Sequence, residues 1–307
     1  MRRIGRTIKR VLGYALVLVL AVSILGDHLG DIPTLWTNTD ASLPHITSPS
    51  DPGELEVHFI DVGNADSILL ISEGESMLID AGENDNGDEV VSYLKSVGVT
   101  ELQYAVGTHP HSDHIGGLDT VLYEIPTETL LMPEKEHTTK TYEDVLTAAE
   151  ETGTYLTTAE AGDSYQLGST FLTVLSPDRI WEDLNNNSIV LLAQNGEDSF
   201  LFAGDAESDS ETVMLDSGIV PDVDVLKVGH HGSSTSSSYR WLRAAMPEYC
   251  VITCGAGNKY GHPHKEVLSR LNDLNRTNNT TIFRSDSNGN ITAHSDGSGQ
   301  ILWETEY

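Results

Sequence analysis

Positive charge is the scarcest property of this chain. Seventeen lysines and arginines stand against 47 aspartates and glutamates in 307 residues, a formal net charge of −30. Five of the basic residues (Arg2, Arg3, Arg6, Lys9 and Arg10) crowd into the first ten positions, leaving 12 for the rest. Such a surface is a poor match to nucleic acid in dilute salt, because sequence-independent phosphate binding requires cations. Salt screens the self-repulsion, so the composition reads as an adaptation to high salt, with a moderately acidic secreted protein as the plainer alternative. Cysteine is almost absent too. Cys250 and Cys254 lie in YCVITCGAG, which reads as a buried strand. Residues i and i+4 of a strand are ~13 Å apart, beyond disulfide reach. They are core thiols, with metal binding as a minor alternative. No repeat of 20–50 residues is present. After residue 25 there is no apolar run long enough to span a bilayer, so this chain does not build a channel by itself.

The single long apolar run is VLGYALVLVLAVSIL, residues 11–25, preceded by the basic cluster and followed by Asp27. It is shorter than the ~17–25 residues of a membrane span and fits the apolar part of a signal peptide equally well. No clear small-x-small cleavage site and no lipid-accepting cysteine follow it. Residues 1–26 are therefore read as a signal peptide or membrane anchor. The basic flank stays inside, which makes the remainder extracytoplasmic, either membrane-anchored or secreted. Residues 27–53, with Pro33, Pro44, Pro49 and Pro52 among Ser, Thr and Asp, read as an extended linker. The folded domain is expected over 54–307.

Within it, LEVHFIDV (55–62), SILLIS (67–72) and SMLIDAG (76–82) read as strands, followed by a helix over 88–98 and a strand over 103–108. Residues 141–153 read as a helix ended by Gly153. Strands are expected over 171–177, 188–194 and 199–205, the last two as a hairpin. Later segments alternate helix and strand (210–218, 222–232, SSYRWLRAAMPE, YCVITCGAG, 264–275), and TIFRSD, GNITAHS and GQILWET read as a small terminal meander. Two halves, roughly 54–175 and 176–307, each carry enough strand for a sheet and enough amphipathic helix to cover one face. The expectation is an α/β protein with two packed sheets and helices outside.

The chemistry concentrates in THPHSDHIGG, residues 108–117. Imidazole and carboxylate are the usual ligands of zinc and similar ions. In an extended segment His109 and His111 project to one side and can share an ion. Asp113 and His114 follow a turn and can reach a second, while Gly116 and Gly117 let the backbone bend close. Further ligands sit where apolar strands run into polar, glycine-containing loops: Asp80 in LIDAG, Asp205 in FLFAGDAE, His230 and His231 in LKVGHHGS, and His262 in NKYGHPHKE. His28, His45, His58, His137 and His294 lie in linker, strand or loop contexts with no such grouping. GSSTSSS (232–238) reads as a helix cap, with an anion contact as the alternative.

THPHSDHIGG, with IDAG before it and FAGD and GHHGS after it, resembles the metallo-β-lactamase superfamily. HFIDVGNADSILL, LKVGHHGSSTSSS and GAGNKYGHPHKEVL resemble, more narrowly, the metallo-β-lactamase-like domain of ComEC-type competence proteins. The likeness runs from about Leu55 to beyond Leu268. It implies an αββα sandwich of two packed mixed β-sheets, with a two-metal site at the sheet edges. It also implies hydrolysis by metal-activated water, with two divalent ions, Zn²⁺ or Mn²⁺. Carried over by position, it gives His109 and His111 to the first ion and Asp113, His114 and His230 to the second, with Asp205 bridging and Asp80 supporting the loop. His230, first after the strand, is preferred as ligand over His231, which then faces substrate. The superfamily's further histidine for the first ion is missing: that region reads NNNSIVLL, a loss shared with the ComEC-type subgroup. The first ion is then completed by Asn187, water or substrate and binds weakly, and a one-metal enzyme stays open. Asp113 is placed among the catalytic groups. His231 and His262 are expected to hold phosphate oxygens or protonate a leaving group, and Asn64 and Asp66 to line the mouth or serve the turn there.

Three functions compete: a phosphodiesterase or nuclease acting on extracellular DNA or in DNA uptake, a hydrolase of a lactone, thioester or β-lactam, and an inactive binding module. The subgroup motifs and the missing histidine favour the first, and the near-complete ligand set argues against the last. The implied partners are a phosphodiester substrate such as DNA, the membrane through residues 1–26 if uncleaved, and a separate channel protein.

Overall fold

A computed structural model describes residues 52–307. The expected signal or anchor over 1–26, and nearly all of the linker, lie outside the described residues. The last two linker residues are packed on the domain: the Gly53 N–H donates to Ser169 Oγ (2.9 Å), and its carbonyl accepts from Asn195 Nδ2 (2.8 Å). Among the described residues no helix is long and apolar enough to cross a membrane.

The chain first builds β1 (Leu55–Phe59), β2 (Ile68–Ser72) and β3 (Glu75–Ile79) as an antiparallel set. It then adds β4 (Leu102–Val106), β5 (Thr127–Met132) and β6 (Tyr155–Thr158) parallel to β3. β7 (Ser164–Leu167), β8 (Thr170–Ser176), β9 (Val190–Asn195) and β10 (Asp198–Phe202) start a second sheet antiparallel. β11 (Val225–Lys227), β12 (Tyr249–Ile252) and β13 (Thr281–Arg284) extend it in parallel. β14 (Ile291–Ser295) and β15 (Ile301–Thr305) return to the first sheet, β14 against β1. The sheets have eight and seven strands.

Two expectations are corrected here. The terminal segments are not a meander, because β13 joins the second sheet while β14 and β15 close the edge of the first. The halves also divide earlier, before β7, and the second returns its last two strands to the first sheet. β5, β6, β7 and the helix over 118–124 gave weak signals; β6 and β7 are short, largely exposed edge strands without an apolar repeat.

Apolar side chains from both sheets meet in one central layer, with Leu55, Val57, Phe59, Leu70 and Met77 facing Leu172, Leu191, Phe200, Phe202 and Val251. The outer face of the first sheet is covered by α1 (Gly87–Ser96), α3 (Leu118–Glu124) and α4 (Lys140–Thr152); α2 (Ser112–Ile115) is a single turn. α5 (Ser208–Asp216), α6 (Tyr239–Ala245) and α7 (Lys265–Asn278) cover the second sheet, and α8 (Ser285–Asn288) is another single turn. This is the expected αββα sandwich. Burial on both faces explains why strands such as ILLIS are nearly continuous apolar runs rather than alternating ones. Helix ends follow local chemistry: the Thr139 and Ser238 side chains accept from Tyr142 N–H and Trp241 N–H, and Gly153 takes the left-handed conformation (φ 77°) that ends α4. The GSSTSSS segment thus ends in a helix cap.

The parallel strands β3, β4, β10, β11 and β12 all deliver polar residues just past their carboxyl ends, where sites in parallel sheets form. Gly116 follows α2 where its Cα meets the backbone of Glu83, Asn84 and Ser112, leaving no room for a Cβ. Gly116→Ala is therefore expected to cost about 1–3 kcal/mol through overpacking. Denaturant unfolding checks this, and an unchanged midpoint would contradict the packing described.

Candidate metal centre

Asp80 follows β3 in a left-handed conformation (φ 59°) that turns its buried carboxylate back under the THPHSDHIGG loop. It accepts from the Thr108 N–H (2.8 Å), the Thr108 hydroxyl (2.7 Å) and His114 Nδ1 (2.7 Å). These contacts tie Asp80 to Thr108 and to the far side of His114. Beyond β4 the chain runs extended through His111, then turns into α2. The extended part puts His109 Nε2 2.9 Å from His111 Nδ1. The helical turn carries Asp113 and His114 onward, so that His114 Nε2 lies 3.2 Å from Asp205 Oδ1 and Asp113 Oδ2 lies 3.5 Å from His231 Nε2. His231 Nε2 is also 3.6 Å from Asp205 Oδ2.

One ligand atom from each of Asp113, His114, Asp205 and His231 falls within 4.8 Å of the others. Three of these atoms, His114 Nε2, His231 Nε2 and Asp205 Oδ1, are buried and have no hydrogen-bond partner. Buried polar atoms without partners are rare and costly. Here the opposite nitrogen of each histidine is committed elsewhere: His114 Nδ1 to Asp80, and His231 Nδ1 to the Thr253 carbonyl (3.1 Å), with Asp66 Oδ1 at 3.3 Å. That fixes an N–H on Nδ1 and turns each Nε2 toward the carboxylates of Asp205 and Asp113, the arrangement metal-binding histidines use once Nε2 gives up its proton. Two nitrogens and two carboxylates suit zinc or manganese, so the residues present fit a divalent ion. Asp66, Asp80 and His114 form a second cluster, on the far side of His114; there the Nδ1–H to Asp80 bond accounts for the contacts.

The electrostatics agree. Burial pushes His114 and His231 down, but the carboxylates of Asp205 and Asp80, and of Asp205 and Asp66, outweigh it. His114 is held well above its ordinary value and His231 at about 9. Burial likewise opposes ionisation of Asp205, yet His114, His231 and His230 hold it well below the usual carboxylate range. Protons therefore occupy this cluster in the metal-free protein, and an ion displaces them. His109 and His111 differ: burial lowers both.

Several expectations change at this point. The geometry reverses His230 and His231. His231 is buried within the Asp113–His114–Asp205 group, whereas His230 stands at its rim, with Nε2 3.5 Å from Asp205 Oδ2 and Nδ1 3.3 Å from Glu207 Oε1. Both adopt left-handed backbone (φ 53° and 51°), so first place after the strand does not decide which side chain turns inward. Asp66 does not line the mouth. It is buried, paired with Lys227 Nζ, and accepts from Thr253 Oγ1 while backing His231. Asn187 is not available to an ion or substrate either: its amide bonds the backbone of Trp181 and Asp183. Ser188 takes the neighbouring place, with Oγ 3.3 Å from His109 Nδ1 and accepting from the Asp205 N–H (3.0 Å). Asn64 and His262 do line the cleft above the cluster, with His111, Ser112, His230 and Tyr260, in a volume of about 290 Å³. Both Asn64 amide atoms and His262 Nδ1 are buried without partners. Burial, then the charges of His231 and His230, lower His262 to about 4, so it is a neutral imidazole at pH 7 and not an acid carrying an extra proton. The sequence reading missed Lys227, Thr108, Thr253, Ser188 and Glu207. Lys227 had a signal: a lysine inside the apolar strand VLK, fully buried in the fold.

Residues 60–255 match the family model of the metallo-beta-lactamase superfamily. The chain belongs to that superfamily. Its fold is accordingly that of a metal-dependent hydrolase. ComE operon protein 3 of Bacillus subtilis (strain 168) is 31% identical over 264 residues, 79% of this chain and 33% of that protein. Recombination protein 2 of Haemophilus influenzae is 30% identical over 222 residues, 70% of this chain and 26% of that protein. The chain thus spans about a third or less of the length of these relatives. Among solved structures, a mutant of CmlA beta-hydroxylase shares the fold, with a TM-score of 0.52 at 14% identity over 78% of this chain and 53% of that one. The resemblance to ComEC-type competence proteins drawn from the sequence motifs is matched by these relatives.

A histidine raised from 6.5 to about 9 on folding contributes stability that is complete below pH 6.5 and lost as pH rises through 9. Metal-free protein is therefore expected to lose thermal stability between pH 6.5 and 9. Metal-loaded protein, whose His114 and His231 carry no Nε2 proton, should lose less. Parallel melting curves with and without chelator check this; identical pH profiles would count against the cluster as a metal centre.

Proposed function

We propose that this protein is a metal-dependent phosphodiesterase acting outside the cytoplasm, with DNA or its fragments as substrate class. The observation that carries the reading is the set of unpaired buried atoms on His114, His231 and Asp205 beneath a small polar cleft. A divalent ion held there would lower the pKa of its bound water to about 7 and would polarise a phosphoryl oxygen. The protein's own groups then bind and orient the substrate. Asn64 offers an amide with both atoms free, and neutral His262 offers one N–H donor, both on the cleft wall. Tyr260 stacks on His262 (ring centroids 5.6 Å apart) and carries Lys259 over its ring, which brings one cation to the rim of an otherwise acidic surface. Neutral donors and a single rim lysine suit one phosphodiester group better than the backbone of a long duplex, whose binding needs many cations.

The names of the relatives, an operon protein of competence and a recombination protein, support DNA processing or uptake as the setting. In that setting residues 1–26 hold the chain at the membrane or export it, and a separate channel protein supplies the pore. Zinc fits the nitrogen-rich donors best, with manganese second.

The full chain, supplied with Zn²⁺ or Mn²⁺ in high salt, is expected to cleave bis-p-nitrophenyl phosphate and short single-stranded DNA, and to lose activity on chelation. His111→Ala should reduce turnover by about 100-fold or more, on the scale of losing a metal ligand's contribution. Turnover of a lactone panel without any phosphodiester turnover would overturn this reading.

A further inference from the structure

The loop between β12 and α7, residues 253–264, lines the cleft with Tyr260 and His262 and is rigidly built at its tip. The Asn258 amide spends all four of its hydrogen-bonding positions inside it. Nδ2 donates to the carbonyls of Gly255 (2.9 Å) and His262 (2.5 Å), and Oδ1 accepts from the N–H groups of Tyr260 (3.1 Å) and His262 (3.0 Å). His264 closes the turn. Its Nδ1 accepts from the Ser234 N–H (2.9 Å), which puts the proton on Nε2, 3.2 Å from the Tyr260 carbonyl. Both backbone polar groups of Tyr260 are thereby held.

What the turn presents is an aromatic face in water. Tyr260 is 52% exposed, and among the described residues it is the one exposed large apolar side chain on the wall of this cleft. A lone exposed tyrosine needs no explanation by itself. This one ends a ladder of rings. His231, in the buried cluster, lies near-parallel to His262 (25°, centroids 6.2 Å apart), and His262 lies near-parallel to Tyr260 (23°, 5.6 Å). The ladder thus runs from the candidate metal centre to solvent. Lys259 Nζ rests 4.9 Å from the centroid of the last ring.

We propose that Tyr260 is a stacking platform for the nucleobase next to the phosphodiester held in the cleft, so that the site selects strands whose bases are unpaired. This rests on the reading of the cleft as a phosphodiester site given above. A nucleobase is the part of such a substrate that is flat and aromatic enough to cover an exposed ring, and stacking tolerates every base because each has a π-face. An exposed cation–π contact is weaker than a base–aromatic stack, so an arriving base displaces the Lys259 ammonium. The freed ammonium is then at hand for a phosphate oxygen. Stacking also supplies affinity without positive charge, which suits a chain of net charge −30. A base inside a duplex has its faces covered by its neighbours, so duplex DNA reaches the platform only after a base is unstacked.

The test is calorimetric titration of the full chain, supplied with Zn²⁺, using thymidine 5′-monophosphate and deoxyribose 5-phosphate, which carries the same phosphate without the base. Wild type should bind the nucleotide about 5–150-fold more tightly, the scale of one base–aromatic stack. Tyr260→Phe should keep that ratio, and Tyr260→Ala should bring the two ligands to within about 2-fold of each other. A merely structural tyrosine would weaken both ligands together and leave the ratio standing. Tyr260 is exposed, so the circular dichroism of Tyr260→Ala should match that of wild type. Equal binding of the two ligands by wild type, failure to bind either, or an undiminished ratio in Tyr260→Ala would overturn the proposal. If the ratio behaves as expected while no phosphodiester is cleaved, the activity proposed above fails and the platform stands. Cleavage without the ratio separates the two in the other direction.

Discussion

Three buried atoms, His114 Nε2, His231 Nε2 and Asp205 Oδ1, face one another with no well-aligned hydrogen bond, only ion-pair proximity (3.2 Å between His114 Nε2 and Asp205 Oδ1), and much of the surrounding structure serves to hold them there. Leaving polar atoms poorly paired in a protein interior costs about 1–3 kcal/mol each, so a fold keeps such a set only where something repays it. Here the opposite nitrogen of each histidine is secured. Asp80 takes the far side of His114 and ties it to Thr108. Asp66 backs His231 and is neutralised by the buried Lys227, whose ammonium also reaches the Gly204 carbonyl beside Asp205. The backbone of Asp66 bonds that of Asp113, and the Gly82 N–H bonds the Asp66 carbonyl. The two sheets thus meet at a polar seam where these atoms converge, and the residues there fit a divalent ion.

This seam explains the placement of the site. Parallel strands from both sheets end at it, so residues separated by more than a hundred positions arrive within hydrogen-bonding distance. Apolar packing on both faces of both sheets fixes those ends rigidly. For the proposed phosphodiester substrate the acidity of the chain is less of an obstacle, because an ion held at this seam would supply local positive charge, whereas the surface charge is diffuse and screened over about 8–10 Å by salt.

Much of this was legible in the sequence. THPHSDHIGG announced two half-sites through ligand density, and apolar runs entering glycine-containing loops located Asp80, Asp205 and the tandem histidines. The layered fold followed from strand and helix order. What was not legible was direction. Neither strand spacing nor chain order says which of His230 and His231 turns inward, because both sit in left-handed backbone. Asp66 read as a mouth residue, but its partner Lys227 lies 161 positions away and only the fold brings them together. Asn187 read as a spare ligand, yet local backbone groups six and four residues upstream consume its amide. The final strands crossed between sheets because β13 is committed to β12 in parallel, while β14 finds the free edge of β1, a pairing across the 231 residues of chain between them (60–290) that no local pattern encodes.

If the inward-facing atoms of His114, His231 and Asp205 form an ion site, anomalous diffraction at the zinc absorption edge, from crystals of the protein grown with zinc, shows a peak within about 2.0–2.2 Å of His114 Nε2, His231 Nε2 and an Asp205 oxygen. A well-ordered site with no peak there, or zinc bound only elsewhere on the acidic surface, would contradict it.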